Sequence, residues 1–192
     1  TGIRDVEGGL EIGAMTTLTE VVRHARVRNE YALLADAAEH VATPQIRNQG
    51  TVGGNVAQDT RCLYYRSGWP CYRAGGNTCY AAAPKAMNRE HCIMGRSRCV
   101  AVNPSDTAPA LIALDAKMIA RNVRRPGVHD AEDFFIGPAN DTPRLTVLKS
   151  EDLSTHLHLP VVWANPNIYY RQTPNLASSG VDLCVLAAAL QA

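Results

Sequence analysis

Five cysteines, Cys62, Cys71, Cys79, Cys92 and Cys99, fall within 38 consecutive positions of a 192-residue chain that holds six in all. Thiolates gathered in this way can pair as disulfides, hold zinc, or hold an iron–sulfur cluster. Structural zinc favours Cys-x2-4-Cys knuckles, in which one turn delivers two corners of a tetrahedron. Here the gaps are eight residues between Cys62 and Cys71, seven to Cys79, twelve to Cys92 and six to Cys99. A cubane cluster is larger than a single ion, and a loop can reach its four corners with wide gaps, so this spacing suits iron–sulfur better than zinc. Spacing alone leaves disulfides open, although five cysteines cannot all pair with one another. The sixth, Cys184, lies in the apolar run Leu183-Cys184-Val185-Leu186 and reads as a small buried hydrophobe.

A second group is the glycine-rich run Gly50, Thr51, Gly53, Gly54 and Asn55. Without a Cβ in the way, backbone amides of such a turn can approach a phosphate closely, but taken alone a turn of this kind is more often structural. Among the histidines, His156 and His158 share one face of an expected strand, with nothing nearby to complete a metal site. They read as solvated or edge side chains, and His91, which could compete as a cysteine-loop ligand, is left out of the ligand set.

The elements that must position these groups are mixed. Alternation over 10–15 predicts a short strand. Thr17 and Glu20 form a capping box that opens a helix with the stripe Leu18, Val21, Val22 and Ala25. A second amphipathic helix is expected over 31–41, ended by Pro44, and 46–55 is expected as a turn that is neither helix nor strand. From 58 to about 98 periodicity disappears. Tyr64, Tyr65, Trp69, Tyr72 and Tyr80 argue against simple disorder there, so something must order a loop of roughly 40 residues. Regular patterning resumes at 99–102. Ser105 or Asp106 is expected to cap a helix carrying Pro109, Leu111, Ile112 and Leu114, with a strand over 117–120, short elements at 130–137 and 157–160, and a buried run at 181–190. Short strands and helices in this mixture predict an α+β fold.

Nineteen basic residues against 18 acidic ones leave a formal charge of +1, with no basic run longer than Arg124-Arg125, which argues against a nucleic-acid or anionic-membrane footprint. No apolar stretch approaches the ~20 residues needed to cross a bilayer, and the first residues have no signal-peptide core, so no membrane insertion is expected.

The ordered set Ala42-Thr43-Pro44-Gln45-Ile46-Arg47-Asn48-Gln49-Gly50-Thr51-Val52-Gly53-Gly54-Asn55, Asp59-Thr60-Arg61-Cys62, and Asn103-Pro104-Ser105-Asp106 with Ala108-Pro109-Ala110-Leu111 resembles the flavin-binding medium subunit of the molybdenum hydroxylases, the xanthine dehydrogenase family. More narrowly it resembles the branch with an extra 4Fe-4S cluster, as in periplasmic aldehyde oxidoreductases and 4-hydroxybenzoyl-CoA reductase. The likeness covers nearly the whole chain and weakens after about Val162. It implies the second lobe of a p-cresol methylhydroxylase-type FAD-binding domain over 1–160, with an inserted cysteine-rich cluster loop at about 58–99. The start of a C-terminal α+β domain would follow at 161–192.

Carried over, the cluster ligands would be Cys62 in Thr-Arg-Cys, Cys71 in Trp-Pro-Cys, Cys79 in Asn-Thr-Cys and Cys99 in Ser-Arg-Cys, with Cys92 assigned to packing. Tyr64, Tyr65 and Trp69 would shield the cluster from water. Gly50, Thr51, Gly53, Gly54 and Asn55 would face the FAD pyrophosphate, with the Thr51 hydroxyl and the Asn55 amide as added donors. A strand-like stretch with Val41, Ala42, Thr43 and Ile46 would line the ring and ribityl chain, Ser105 and Asp106 the adenosine end, and Leu148 the flavin ring. Arg171 departs from the family pattern and is left out.

The implied activity is electron transfer between iron–sulfur centres, FAD and an external acceptor during oxidation of an aldehyde, purine or aromatic substrate. It implies an oxidoreductase complex with a molybdopterin-containing large subunit and a 2Fe-2S small subunit, and no acid, base or nucleophile of this chain touching the organic substrate. The alternatives are a zinc- or disulfide-stabilised interaction module without a redox role, and a flavin domain that has lost its cofactor. Cysteine usage suits the cytoplasm, and export folded on a partner's signal would instead place the chain in the periplasm. The family has another FAD-contacting lobe before this stretch and a longer domain after it, so weak or absent FAD binding is expected of the 192 residues alone.

Overall fold

The computed structural model describes residues 2–93, 97–123, 126–174 and 182–190, with the side chains of 172–174 and 182–185 left out. Strands β1 (Ile3–Val6) and β2 (Gly9–Gly13) form a hairpin in the register Ile3↔Ile12 to Val6↔Gly9. The alternation at Leu10 and Ile12 marks β2; β1 has no buried residue and is held by its partner strand.

Helix α1 (Leu18–Arg23) starts at the expected capping box. The Thr17 hydroxyl accepts from the Glu20 amide at 3.2 Å, and the Glu20 carboxylate accepts from the Thr17 amide at 2.7 Å. These bonds hold the Glu20 carboxyl below its ordinary pKa. A depressed folded pKa contributes stability above the unfolded value, and that contribution disappears as pH falls through the folded one. Thr17→Ala is expected to lower stability by about 1 kcal/mol, with a flatter loss toward acid pH, both read from denaturant melts.

The α1 stripe is shorter than expected. The chain breaks at His24, and Ala25 begins a separate helix α2 (Ala25–Glu30), followed by α3 (Ala32–His40), which buries Leu33, Leu34, Ala37 and Ala38. Next come α4 (Pro44–Gln49), α5 (Val52–Val56) and, inside the cysteine loop, α6 (Leu63–Arg66). No strand forms over 99–102. Helix α7 (Ala108–Ala113) leads into β3 (Lys117–Arg121), β4 (Pro126–Asp130), α8 (Ala131–Phe134) and β5 (Leu153–Pro160).

Five strands make one antiparallel sheet in the order β1-β2-β5-β3-β4. One face carries Leu10, Ile12, Met118, Leu157 and Leu159, all essentially buried against Leu18, Val21, Leu33, Leu34, Leu111, Leu114 and Phe134. Each such side chain contributes roughly 1.5–3 kcal/mol of burial. On the other face, His156 and His158 are half-buried beside Glu11, the His156 Nε2 lying 3.5 Å from the Glu11 carboxylate. The α+β class is therefore the observed one.

A separate two-stranded sheet, β6 (Asn167–Pro174) with β7 (Asp182–Leu190), packs on α3 and α7. The expectation of a buried run there is corrected: Leu186 and Leu190 are exposed, because a two-stranded sheet covers only one of its faces. The side chain of Cys184 lies outside the described residues. No helix among the described residues is long and apolar enough to cross a membrane.

Candidate functional site

After α3 the backbone turns at Ala42, whose φ of 45° is left-handed. Thr43 then caps α4, its hydroxyl accepting from the Ile46 amide at 3.5 Å, and Pro44 occupies the first turn. The expectation that Pro44 ends a helix is thus corrected. Proline lacks only an amide that the first helical turn leaves unpaired anyway, so it starts α4. The run expected as a plain turn and a strand-like lining is two short helices joined at Gly50-Thr51.

Thr51 repeats the capping device, its hydroxyl accepting from the Gly54 amide at 3.1 Å. The joint is stitched to the capping box of α1: the Leu18 amide donates to the Gly50 carbonyl, and the Val52 amide to that of Thr16, each at 2.9 Å. Gly53 donates to the Ala14 carbonyl at 2.8 Å, and a Cβ there would meet Ala14 at 2.9 Å, so only glycine permits this approach.

Asn55 is buried, and its side-chain oxygen accepts from the Ser105 hydroxyl at 2.8 Å, the Thr107 hydroxyl at 2.7 Å and the Thr107 amide at 3.4 Å. Ser105 in turn accepts from the Ala108 amide at 3.2 Å, but the N-cap of α7 is Thr107, one residue past the expected Ser105 or Asp106, and its side chain makes no capping bond. This knot fixes 103–107 against α5 and closes one wall of a cleft of about 280 Å³. Val41, Ala42, Ile46, Gly50, Thr51, Gly54, Asn55, Ser105 and Asp106 line the cleft. Thr43, Gly53 and Leu148 do not. Thr43 is occupied as a cap, Gly53 is turned to Ala14, and Leu148 packs on the hydrophobic core.

Sequence reasoning missed Leu18, Gln58, Arg61, Glu90 and Val102 as lining, and Asn103 and Pro104, although the motif containing the last two was in view. Gln58 accepts from Arg61 at 3.2 Å and donates to the Pro104 carbonyl at 2.9 Å. Asn103 accepts from the Ser105 amide at 3.0 Å, while its buried Nδ2 has no hydrogen-bond partner among the described residues.

The cysteine loop is mostly irregular, with single turns of 3-10 helix at Tyr72–Ala74 and Tyr80–Ala82. Arg73 anchors it from within. Nearly fully buried, its guanidinium donates to Asp59 at 2.5 Å and to the Thr142 carbonyl at 2.8 Å, and lies 5.2 Å from the centre of the Tyr65 ring. Trp69 meets Tyr64 and Tyr80 edge-on, with centroids 5.3 and 4.8 Å apart. Gly76 closes the turn around Cys71, donating to its carbonyl at 2.8 Å; a Cβ on Gly76 would fall 1.9 Å from the Pro70 carbonyl oxygen.

This folding brings Cys62, Cys71, Cys79 and Cys99 to the wall of one tight pocket, of about 10 Å³, together with Tyr64, Tyr65, Arg73 and His91. Cys92 is not part of that wall; its amide donates to the Val100 carbonyl at 2.9 Å. All five described cysteines are free thiols. Burial pushes the Cys99 thiol up, as do the nearby Cys79 and Cys62, while Arg73 opposes the shift. Burial pushes the His91 imidazole down, toward its neutral form. Among the described residues, no group of three or more His, Cys, Asp or Glu side chains is placed to hold a single metal ion.

The two cavities adjoin. Arg61 faces the cleft and Cys62 the pocket; Glu90 faces the cleft and His91 the pocket; Val102 faces the cleft and Ala101 the pocket. Three short segments thus form a shared wall, with consecutive residues opening to opposite sides.

Residues 1–162 match the family described as FAD binding domain in molybdopterin dehydrogenase. The chain is 37% identical over 190 residues to the aldehyde oxidoreductase FAD-binding subunit PaoB of Escherichia coli strain K12, an alignment covering 96% of this chain and 58% of that one. A shorter match, 43% over 56 residues, joins it to the carbon monoxide dehydrogenase medium chain of Hydrogenophaga pseudoflava, covering 29% of this chain and 20% of that one. Among solved structures, quinoline 2-oxidoreductase from Pseudomonas putida 86 superposes with a TM-score of 0.61 at 19% identity, over all of this chain and 50% of that one. Carbon monoxide dehydrogenase from Hydrogenophaga pseudoflava gives 0.60 at 20%, covering 95% of this chain and 46% of that one. The chain thus spans about half the length of these relatives, and it belongs to the family of FAD-binding domains of molybdopterin dehydrogenases.

Proposed function

We propose that this chain is the electron-transfer flavoprotein part of a molybdenum hydroxylase, holding FAD in the cleft and a 4Fe-4S cluster in the cysteine pocket. The observation that carries this reading is the shared wall: two cavities of different chemistry, divided by the pairs Arg61/Cys62, Glu90/His91 and Ala101/Val102. Electron transfer between two centres requires that they be close, and a common wall supplies that.

The donor chemistry of the residues suits both groups. At the cleft, the buried Asn103 Nδ2 lacks a partner among the described residues and is suited to donate to a bound ligand. Gly50, Thr51, Gly54 and Asn55 offer a surface with little side-chain bulk for a pyrophosphate, with Ser105 and Asp106 at the adenosine end and Val41, Ala42 and Ile46 as apolar lining. Thr43, Gly53 and Leu148 would act one step removed, by shaping the backbone and core behind that lining.

At the pocket, Cys62, Cys71, Cys79 and Cys99 supply four soft donors on one wall, the ligand type and number that a cubane cluster takes. The free thiols likewise favour this reading over a disulfide-stabilised module.

When bound, the cluster exchanges single electrons and the flavin exchanges one or two. The chain's own residues orient the flavin, exclude water from the cluster through Tyr64, Tyr65 and Tyr80, and keep Arg73 as a buried counter-charge to the thiolates, while the expected shield Trp69 is exposed outside the pocket wall. The similarity to PaoB over 96% of this chain supports an aldehyde among the substrate classes, which also include purines and aromatics. The assembly we propose adds a molybdopterin-containing large subunit and a 2Fe-2S small subunit.

The test is metal and flavin analysis of the full-length protein purified anaerobically with its associated chains. The expected result is one FAD and four irons assigned to this subunit. One zinc without iron, or native disulfides among the loop cysteines, would overturn it.

A further inference from the structure

His91 is more than nine-tenths buried in the wall of the cysteine pocket, and neither ring nitrogen has a hydrogen-bond partner among the described residues. A buried polar group without a partner costs roughly 1–3 kcal/mol, so such groups are rare and call for an explanation. The Arg73 Nε, buried in the same wall, is also without a partner among the described residues, although the rest of its guanidinium is bonded to Asp59 and Thr142. Two orphaned N–H-bearing groups thus flank the four thiols. The cluster reading places sulfur within their pocket, and thiolate and sulfide sulfurs accept hydrogen bonds.

We infer that His91 donates a ring N–H to a cluster or cysteinyl sulfur, with the Arg73 Nε–H as a second donor, and that His91 is a positioning residue that sets the cluster's reduction potential. This rests on the cluster reading above. Reduction adds negative charge to the cluster, so a donor aimed at sulfur stabilises the reduced form more than the oxidised one and raises the potential. The His91 amide donates to the Asn88 carbonyl at 3.2 Å; the ring lies near that same backbone, but it makes no hydrogen bond of normal geometry among the described residues, so replacing its side chain leaves the described hydrogen bonds in place. Arg73 is the poorer target, because its loss would also release Asp59 and Thr142.

The experiment compares the full complex carrying wild-type, His91→Leu and His91→Gln chains, by iron content and by EPR-monitored redox titration. His91→Leu is expected to keep four irons while its reduction equilibrium shifts at least tenfold toward the oxidised form, about 59 mV for one electron. His91→Gln, which retains an N–H donor, is expected to recover most of that shift. Four irons with an unchanged potential in His91→Leu would overturn the inference and leave the cluster standing. Loss of one iron per cluster in both variants would overturn it in favour of His91 as a ligand. A wild-type complex without iron in this subunit would defeat the cluster reading itself, and the inference with it. A check that needs no variant is pulsed EPR of the reduced wild-type complex labelled with 15N-histidine: a weak coupling, as through a hydrogen bond, is expected, and none at all would contradict the inference.

Discussion

Replacing Cys79 by serine is expected to empty the cysteine pocket of iron. Cys79 is half-exposed at the entry to the 3-10 turn Tyr80–Ala82, so the substitution leaves little void and little strain behind. A serine oxygen is a harder and less readily ionised ligand than a thiolate, and a cubane held at three corners is open to solvent attack at the fourth. We expect iron in this subunit to fall at least tenfold, with loss of the cluster's EPR signal, while FAD stays bound in the neighbouring cleft. Cys92→Ser is the control. Cys92 lies outside the pocket wall and bonds to the protein through its backbone, so iron content is expected to match wild type. An equal loss in both variants would contradict the assignment of four ligands among five cysteines.

Asn55→Ala is expected to have the largest effect on the cleft. One carbonyl oxygen accepts from two hydroxyls and an amide, all buried, and alanine supplies no replacement. Leaving buried donors unpaired costs roughly 1–3 kcal/mol each, although the hydroxyls can turn to one another, Ser105 and Thr107 already lying 3.4 Å apart. The net loss is expected near 2–3 kcal/mol by denaturant melts. Because the same bonds hold 103–107 over the glycine run, FAD affinity in the full-length protein should fall at least tenfold. A drop in stability with unchanged flavin affinity would mean that the loop does not shape the cofactor's site.

The parts of this fold that were legible in the sequence are the ones decided locally. The Thr17–Glu20 capping box, the stripe of Leu33, Leu34, Ala37 and Ala38, the proline at the head of α7 and the strand at Lys117 all follow from neighbours within a turn or two. What was not legible depends on distant partners. β1 carries no apolar alternation and exists because β2 pairs with it; β5 extends back to Leu153 through pairing with Arg121. Pro44 was ambiguous because proline is excluded from helix interiors but favoured in a first turn, so from sequence it reads as a stop or as a start; α3 ends at His40 and Pro44 starts α4.

The crowding of five cysteines was visible in the sequence, whereas the choice of Cys62, Cys71, Cys79 and Cys99 among them came from the family resemblance. The facing of Gln58, Arg61, Glu90 and His91 could not, since an irregular loop has no period from which to infer which side chain points where. The adjacency of the two cavities was invisible for the same reason: it follows from consecutive residues turning opposite ways on three separate segments.

The most direct test is anomalous diffraction at the iron edge from crystals of the full-length protein with its associated chains. The account predicts one compact four-iron peak bounded by Cys62, Cys71, Cys79 and Cys99, with FAD density running past Gly50–Asn55 on the other side of the Arg61/Cys62 wall. A pocket closed by disulfides, or a single zinc peak in its place, would contradict it.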